Sequence, residues 1–284
     1  MTTTVWAPKT EVETKSIVKP AARRKSRVPS FVPPLIVATA VLAVWYLVSY
    51  VFLDQTRRFL LPPPHEIFTG AIFVPDILAD IGLASLRTTI VALIGLLIAI
   101  VLGVAWAVAM SQARWLETSL FPYAVILQCI PILALVPLIG FWFGFEYPAR
   151  VIVCVMIALF PMVSNTLFGI QSVDPGQREL FRLHGAARWT VLRKLEFPNA
   201  LPAIFAGMRI SAGLAVVGAI VGDFFFRRGE PGLGALISNY QAQIQSEELF
   251  AAIIAASLLG IVIFAAFGWL SRAVVGTWYE SSDR

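Results

Sequence analysis

The side chains best suited to polar chemistry lie together between Pro175 and Pro202, PGQRELFRLHGAARWTVLRKLEFPNALP. Arg178, Arg182, Arg188, Arg193 and Lys194 are set there against only Glu179 and Glu196. Two helical patterns, roughly 177 to 183 and 186 to 195, meet at Gly185. Glycine at such a junction can take the left-handed conformation that ends a helix, or let another surface approach its backbone. Pro198 and Pro202 are expected to close the segment before the next apolar run. A basic helix–glycine–helix element is suited to docking against something outside a bilayer. Charge alone fits equally an ordinary loop made basic by membrane orientation.

Bond-making chemistry has little support elsewhere. No GxxxxGK[ST] phosphate-binding motif occurs, so the chain is not expected to hydrolyse ATP itself. The two histidines, His65 and His184, fall on opposite sides of the expected membrane, and no carboxylate pair, Ser/His or Cys/His set shares one side. Cys129 and Cys154 stand alone inside apolar runs and read as small core residues. No catalytic, cofactor or metal site is expected.

The elements that position the basic segment are apolar. Of 284 residues, 58% are hydrophobic and 14% charged, and the mean hydropathy is +0.79. A soluble domain carries about a quarter charged residues, so this is an all-α integral membrane protein. The net charge of +5 calls for no nucleic acid. Six runs are long enough to cross a bilayer, near 33–53, 83–110, 118–143, 149–171, 201–223 and 249–271. Six crossings put both ends on one side. With Arg209 counted at the inner end of its span, 16 Lys and Arg fall on the side of the N-terminus and six on the other. That excess places both ends and the 175–200 loop in the cytoplasm. Residues 1–30 read as a disordered basic cytoplasmic tail and 31–284 as the membrane domain. Between the first two spans, residues 60–81 predict a short interfacial helix beginning near His65 and Glu66.

Spacing then makes the basic segment specific. Membrane subunits of bacterial binding-protein-dependent ABC importers carry Glu-Ala-Ala, three residues, Gly, nine residues, Ile, one residue, Leu-Pro in a cytoplasmic loop. This chain resembles them at Glu179, Gly185, Leu195 and Phe197-Pro198, with Leu180 and Phe181 replacing the two alanines. Among such importers it resembles the sulfonate, taurine, nitrate and bicarbonate permeases. The matches are Pro131, Ala134, Pro137, Leu138, Trp142, Phe143, Gly144, Phe160-Pro161, Asn165-Thr166, Gly169, Asp174-Pro175, Gly185-Ala186 and Leu201-Pro202. They span most of residues 80 to 272.

The resemblance implies a type I ABC importer (MetI-like) permease fold with six transmembrane helices in a bacterial inner membrane. It implies a cytoplasmic ABC ATPase dimer and an extracytoplasmic solute-binding protein as partners. A second permease copy, most simply as a homodimer, would complete the pathway. Glu179, Arg182, Leu183, His184, Gly185, Ala186 and Trp189 would then contact the ATPase.

For the solute pathway the candidates are Gln128, Pro131, Asp223, Phe225 and Arg228. Gln128 either lines the path or bridges helices beside Pro131. Arg209 is expected to reach lipid phosphate or the coupling loop. Asp223 ends the fifth span, where it is expected to meet water and pair with Arg227 or Arg228. The aromatic run Phe224–Phe226 and the two arginines form either a solute mouth or an interfacial belt. A small organic or inorganic anion is the expected solute, an aromatic vitamin precursor the alternative. A passive pore or a membrane scaffold is the competing class, and neither has a use for the Glu179–Gly185–Pro198 spacing.

Overall fold

The computed structural model describes residues 31–226 and 229–279. The basic tail 1–30 and the candidate Arg228 lie outside the described residues, as does Arg227. The chain falls into two units, one ending at Val44 and the other beginning at Trp45. Within the first, helix α1 begins at Val32; it continues across the boundary to Leu47.

In the second unit the described residues are helical, without strands. A wide turn, Val48–Phe52, ends α1. A short helix α2, Pro64–Ile67, runs into a second wide turn, Phe68–Ile72. The interfacial helix is therefore shorter than the periodicity of 60–81 suggested. Pro75 starts a new helix, α3, that runs unbroken to Ser111 over 37 residues. At 1.5 Å per residue it is about 55 Å long, well beyond a hydrocarbon core of about 30 Å. The start of α2 is tied to the end of α1. Trp45 Nε1 donates to the Pro62 carbonyl at 3.1 Å and Ser49 Oγ to that of Leu61 at 2.9 Å. His65 shares a hydrogen bond with Tyr46 Oη at 3.2 Å.

The third apolar run is not one straight helix. It forms α4, Arg114–Cys129, and α5, Ile132–Phe143, bent by 97° across Ile130–Pro131. Pro131 lacks the amide hydrogen that would carry α4 onward, and both Ile130 and Pro131 adopt extended ψ angles. Pro137 is accommodated inside α5. Helix α6 follows over Tyr147–Gln171. Among the described residues, six helical units are long and apolar enough to cross a membrane when the bent pair counts as one span; counted without it, five.

The basic segment supplies α7, Pro175–Leu183, and α8, Arg188–Val191. Here the expected end fails. A wide turn over Leu192–Glu196 leads directly into α9, Phe197–Phe225, with Pro198 in its first turn and Pro202 inside it. Proline costs little in a first turn, where its missing N–H has no helical partner to lose. Neither proline closes the segment. Helix α10, Leu233–Gln243, and α11, Ser246–Tyr279, complete the chain.

The centre of the second unit is α3, α6 and α9, joined by small residues. A Cβ at Gly95 would lie 2.3 Å from Cys154 Cβ, one at Gly103 2.5 Å from Met162 Cβ, and one at Gly218 2.8 Å from Cys154 Cα. Without strong hydrophobic drive between helices in lipid, such close backbone approach supplies dispersion contact. Cys154 is buried there, as its apolar surroundings suggested, while Cys129 is exposed. Ser211 Oγ donates to the Ala158 carbonyl at 2.8 Å and fixes the register of α9 on α6. Arg209 does not reach toward a loop: its guanidinium lies 4.1 Å from the ring centroid of Phe264 on α11.

Candidate coupling and solute-pathway sites

Asp174 begins the coupling segment by capping α7. Its Oδ1 accepts from the amides of Gly176 at 2.7 Å and Gln177 at 3.3 Å. Such a cap satisfies amides that a helix start leaves without partners. At the other end His184 is the cap residue, and Gly185 takes φ +64°. The Gly185 amide donates to Arg182 O and the Ala186 amide to Phe181 O, closing α7 before the chain turns into α8. Of the two roles offered to this glycine, the left-handed turn is the one seen. Nothing lies within 4 Å of a Cβ placed there.

Helix α7 presents two different faces. Glu179, Leu180 and Leu183 point away from the rest of the chain, with Leu183 77% exposed, and Trp189 on α8 is 66% exposed. Large apolar side chains left bare beside charge mark a surface that expects a partner. Arg178 and Arg182, four residues apart, border a cleft with Arg188 and Ala186. Glu179 and Arg182 are 4.0 Å apart and both well exposed, so their ion pair contributes little. His184 Nδ1 lies 2.8 Å from the Leu180 carbonyl.

The residue that organises the segment is Glu196, which the spacing argument counted only as a charge. It is 2% exposed. Arg188 Nη1 donates to its Oε1 at 2.7 Å, and Arg178 Nη2 lies at 3.5 Å. Arg178 also donates to the Ile170 carbonyl at the end of α6, and Arg188 to that of Ser111 at the end of α3. Glu196 thus links α7 and α8 to two membrane helices. A carboxylate four residues into a basic run, just ahead of the apolar α9, was the available signal.

The break in the third run opens the second candidate site. A cavity of about 350 Å³ is bounded by Gln128, Ile130 and Ile132 from the bend, Met156, Ile157, Phe160 and Pro161 from α6, and Leu214 and Val217 from α9. Gln128 makes no hydrogen bond to another described residue, so the bridging role open to it is not used within this chain. Pro131 is exposed at the bend. No charged side chain lines the cavity.

Asp223 stands differently from its expectation. It is 2% exposed rather than meeting water. Among the described residues its partner is Arg150 on α6, Nη1 to Oδ1 2.8 Å, and the pairing expected with Arg227 or Arg228 falls outside those residues. The Ala235 amide donates to Asp223 Oδ2 at 2.8 Å, and the Leu233 amide to Thr88 Oγ1 at 2.9 Å. Arg150 also donates to the carbonyls of Glu230 at 2.9 Å and Phe226 at 3.0 Å. Arg87 on α3 pairs with Glu230 at 2.9 Å. Three helices therefore hold Phe226, Glu230 and the start of α10 through charge. The same geometry explains Gly232 and Gly234. A Cβ on the first would meet Asp223 and Thr88 at 2.7 Å, and on the second Ile220 O at 2.1 Å. The aromatic run divides: Phe226 is 1% exposed and packs edge-on to Phe145, while Phe225 is exposed beside Phe224. Asp223 is thus buried against Arg150, and Phe225 is at the surface.

A bundle of long apolar helices carries an exposed basic segment between its fourth and fifth apolar runs. The chain belongs to the family of binding-protein-dependent transport system inner membrane components, matching it over residues 95–276. A riboflavin transport system permease of Chloroflexus aurantiacus is 36% identical over 58% of this chain and 61% of the relative. The match thus spans less than two thirds of that protein. A formylaminopyrimidine transport permease of Halalkalibacterium halodurans is 33% identical over 77% of the chain and 86% of the relative. A putative aliphatic sulfonates transport permease of Escherichia coli is 31% identical over 81% and 85%. The ABC importer permease resemblance and the all-helical fold are therefore borne out.

Proposed function

We propose that this chain forms half of the solute pathway of an ATP-driven importer and couples it to a cytoplasmic ATPase through residues 175–200. The observation that carries the coupling is the exposed Leu180, Leu183 and Trp189 around the left-handed Gly185. In this reading Glu179, His184 and Ala186 flank the docked surface, and the ATPase dimer pulls two such loops together. A second copy of the chain completes the path, and an extracytoplasmic binding protein delivers the solute. The membrane domain runs from 31 to 284. The bent pair α4–α5 makes one crossing, so both ends lie in the cytoplasm, consistent with the excess of basic residues on that side.

The cavity at the bend supports an uncharged, planar solute over a small anion. It offers Phe160 as an apolar ring, Gln128 as an amide with donor and acceptor both free, and no cation. An anion held there without a counter-charge would lose several kcal/mol of hydration. Relatives named for riboflavin and for a formylaminopyrimidine point to the same class. The test is ATP hydrolysis by the reconstituted permease, its ATPase and its binding protein, with riboflavin, a formylaminopyrimidine, taurine and nitrate offered in turn. Stimulation by a heterocycle, weakened by Gln128→Leu and Phe160→Ala, is expected. Stimulation by taurine or nitrate alone overturns the solute assignment.

A further inference from the structure

The side of α7 that carries Arg178 and Arg182 borders a cleft of about 760 Å³. Its walls come from three separate places: Ser111 to Glu117 at the α3–α4 turn, Ile170 and Gln171 at the end of α6, and the basic segment. Four guanidinium groups line it, those of Arg114, Arg178, Arg182 and Arg188, against the carboxylates of Glu117 and Glu196. Those two carboxylates are already engaged. Glu196 takes Arg188 and Arg178, and Glu117 accepts from Gln171 Nε2 at 2.8 Å. Arg114 has no ion pair among the described residues, and Arg182 has only the long contact to Glu179. The cleft therefore holds an excess of positive charge with two arginines left to bind.

Its level in the fold narrows what would bind. Arg114 stands next to Trp115, which is exposed at the start of α4. Tryptophan beside arginine at helix ends is the arrangement found at lipid headgroup depth. The apolar bodies of α3, α4 and α6 begin immediately above. A group with several anionic oxygens suits guanidinium forks far better than a monovalent ion does.

We propose that this cleft binds a phosphate group, carried by an anionic lipid headgroup or free in solution, through Arg114 and Arg182. Arg178 and Arg188 hold the wall through Glu196 and add their field. A bound phosphate would tie the α3–α4 turn to α7, and so bias how freely the coupling segment moves relative to the membrane helices. That the lipid comes from the cytoplasmic leaflet rests on the orientation proposed above. The binding chemistry does not.

The full permease chain with its ATPase, extracted from vesicles of phosphatidylcholine and phosphatidylglycerol, is the material for the test. Native mass spectrometry should find phosphatidylglycerol retained in preference to phosphatidylcholine. Arg114→Gln and Arg182→Gln should each weaken retention roughly fivefold, the worth of one arginine near an anionic surface. Arg193→Gln, which removes an exposed arginine of the same segment outside the cleft, should leave retention unchanged. Displacement by millimolar inorganic phosphate, which then binds alone, assigns the site to free phosphate. Resistance to it assigns the site to the lipid headgroup. Absence of both ligands, or equal retention by the double arginine variant, overturns the proposal. So does retention seen only when the ATPase is removed, because a partner side chain would then own the cleft. A cysteine at Gly185 labelled only from outside, with phosphatidylglycerol still retained, would fault the orientation and leave the cleft site standing.

Discussion

Replacing Arg150 with Met tests the hold on Phe226 and Glu230. Arg150 and Asp223 are 5% and 3% exposed at their side chains, so neither charge has water to fall back on. Removing one partner of such a pair costs about 3–5 kcal/mol, because the other charge stays buried and uncompensated. The Phe226 and Glu230 carbonyls each lose a donor as well, at roughly 1 kcal/mol apiece. Some of that returns through Arg87, which still holds Glu230 and the Pro231 carbonyl. About 4 kcal/mol is the expected net loss, a fall in unfolding temperature on the order of 10 °C. The assay is thermal unfolding of the detergent-purified chain, followed by tryptophan fluorescence. Asp223→Asn keeps an acceptor for the Ala235 amide but removes the charge. The double variant should therefore be more stable than the sum of the single losses predicts, by about 2 kcal/mol. A loss below about 1 kcal/mol in Arg150→Met, or strict additivity, would refute the buried pair as that hold.

Two further substitutions separate backbone from packing effects. Gly185→Val places a β-branched residue at φ +64° in open space, so its cost of about 1–2 kcal/mol falls on the turn alone. The variant should be recovered folded, with solute-stimulated ATP hydrolysis reduced, and Gly185→Asn should restore most of it because Asn tolerates the left-handed region. Gly218→Val has no such freedom: its Cβ would sit 2.8 Å from Cys154 Cα between α6 and α9. Backbone cannot give way as a side-chain tip can, so a sharp loss of monodisperse protein on size-exclusion chromatography is expected.

What was legible in the sequence was local. Gly185 takes the left-handed conformation, one of the two roles read for it, whereas the cap made by Asp174 was not read although its residue type signals one. Apolar runs of sufficient length mark the membrane helices because length and composition alone decide that property. The Pro131 break was visible as a proline in an apolar run, but not its 97° angle, which depends on how α5 packs on α6 and α9. Pro202 looked like an end and is not one, since the helix around it is held by α6 through contacts no local pattern encodes. The larger omissions are pairs distant in sequence. Arg150 and Asp223 lie 73 positions apart, and each alone reads as an ordinary outer charge. Glu196 gains its role from Arg188, eight residues or about two helix turns earlier, and from Ser111 and Ile170 carbonyls contributed by other helices through the arginines.

Coupling itself is most directly measured with Leu183→Glu in the complex of permease, ATPase and binding protein. Leu183 is 77% exposed and makes no use of its side chain within the chain's core, so the change leaves folding intact. It places a carboxylate on the surface proposed to dock the ATPase, where burial without a partner would be costly. The ATPase should no longer co-purify with the tagged permease, and solute-stimulated ATP hydrolysis should fall at least tenfold. Co-purification and stimulated hydrolysis at wild-type levels would contradict the docking of an ATPase on this segment.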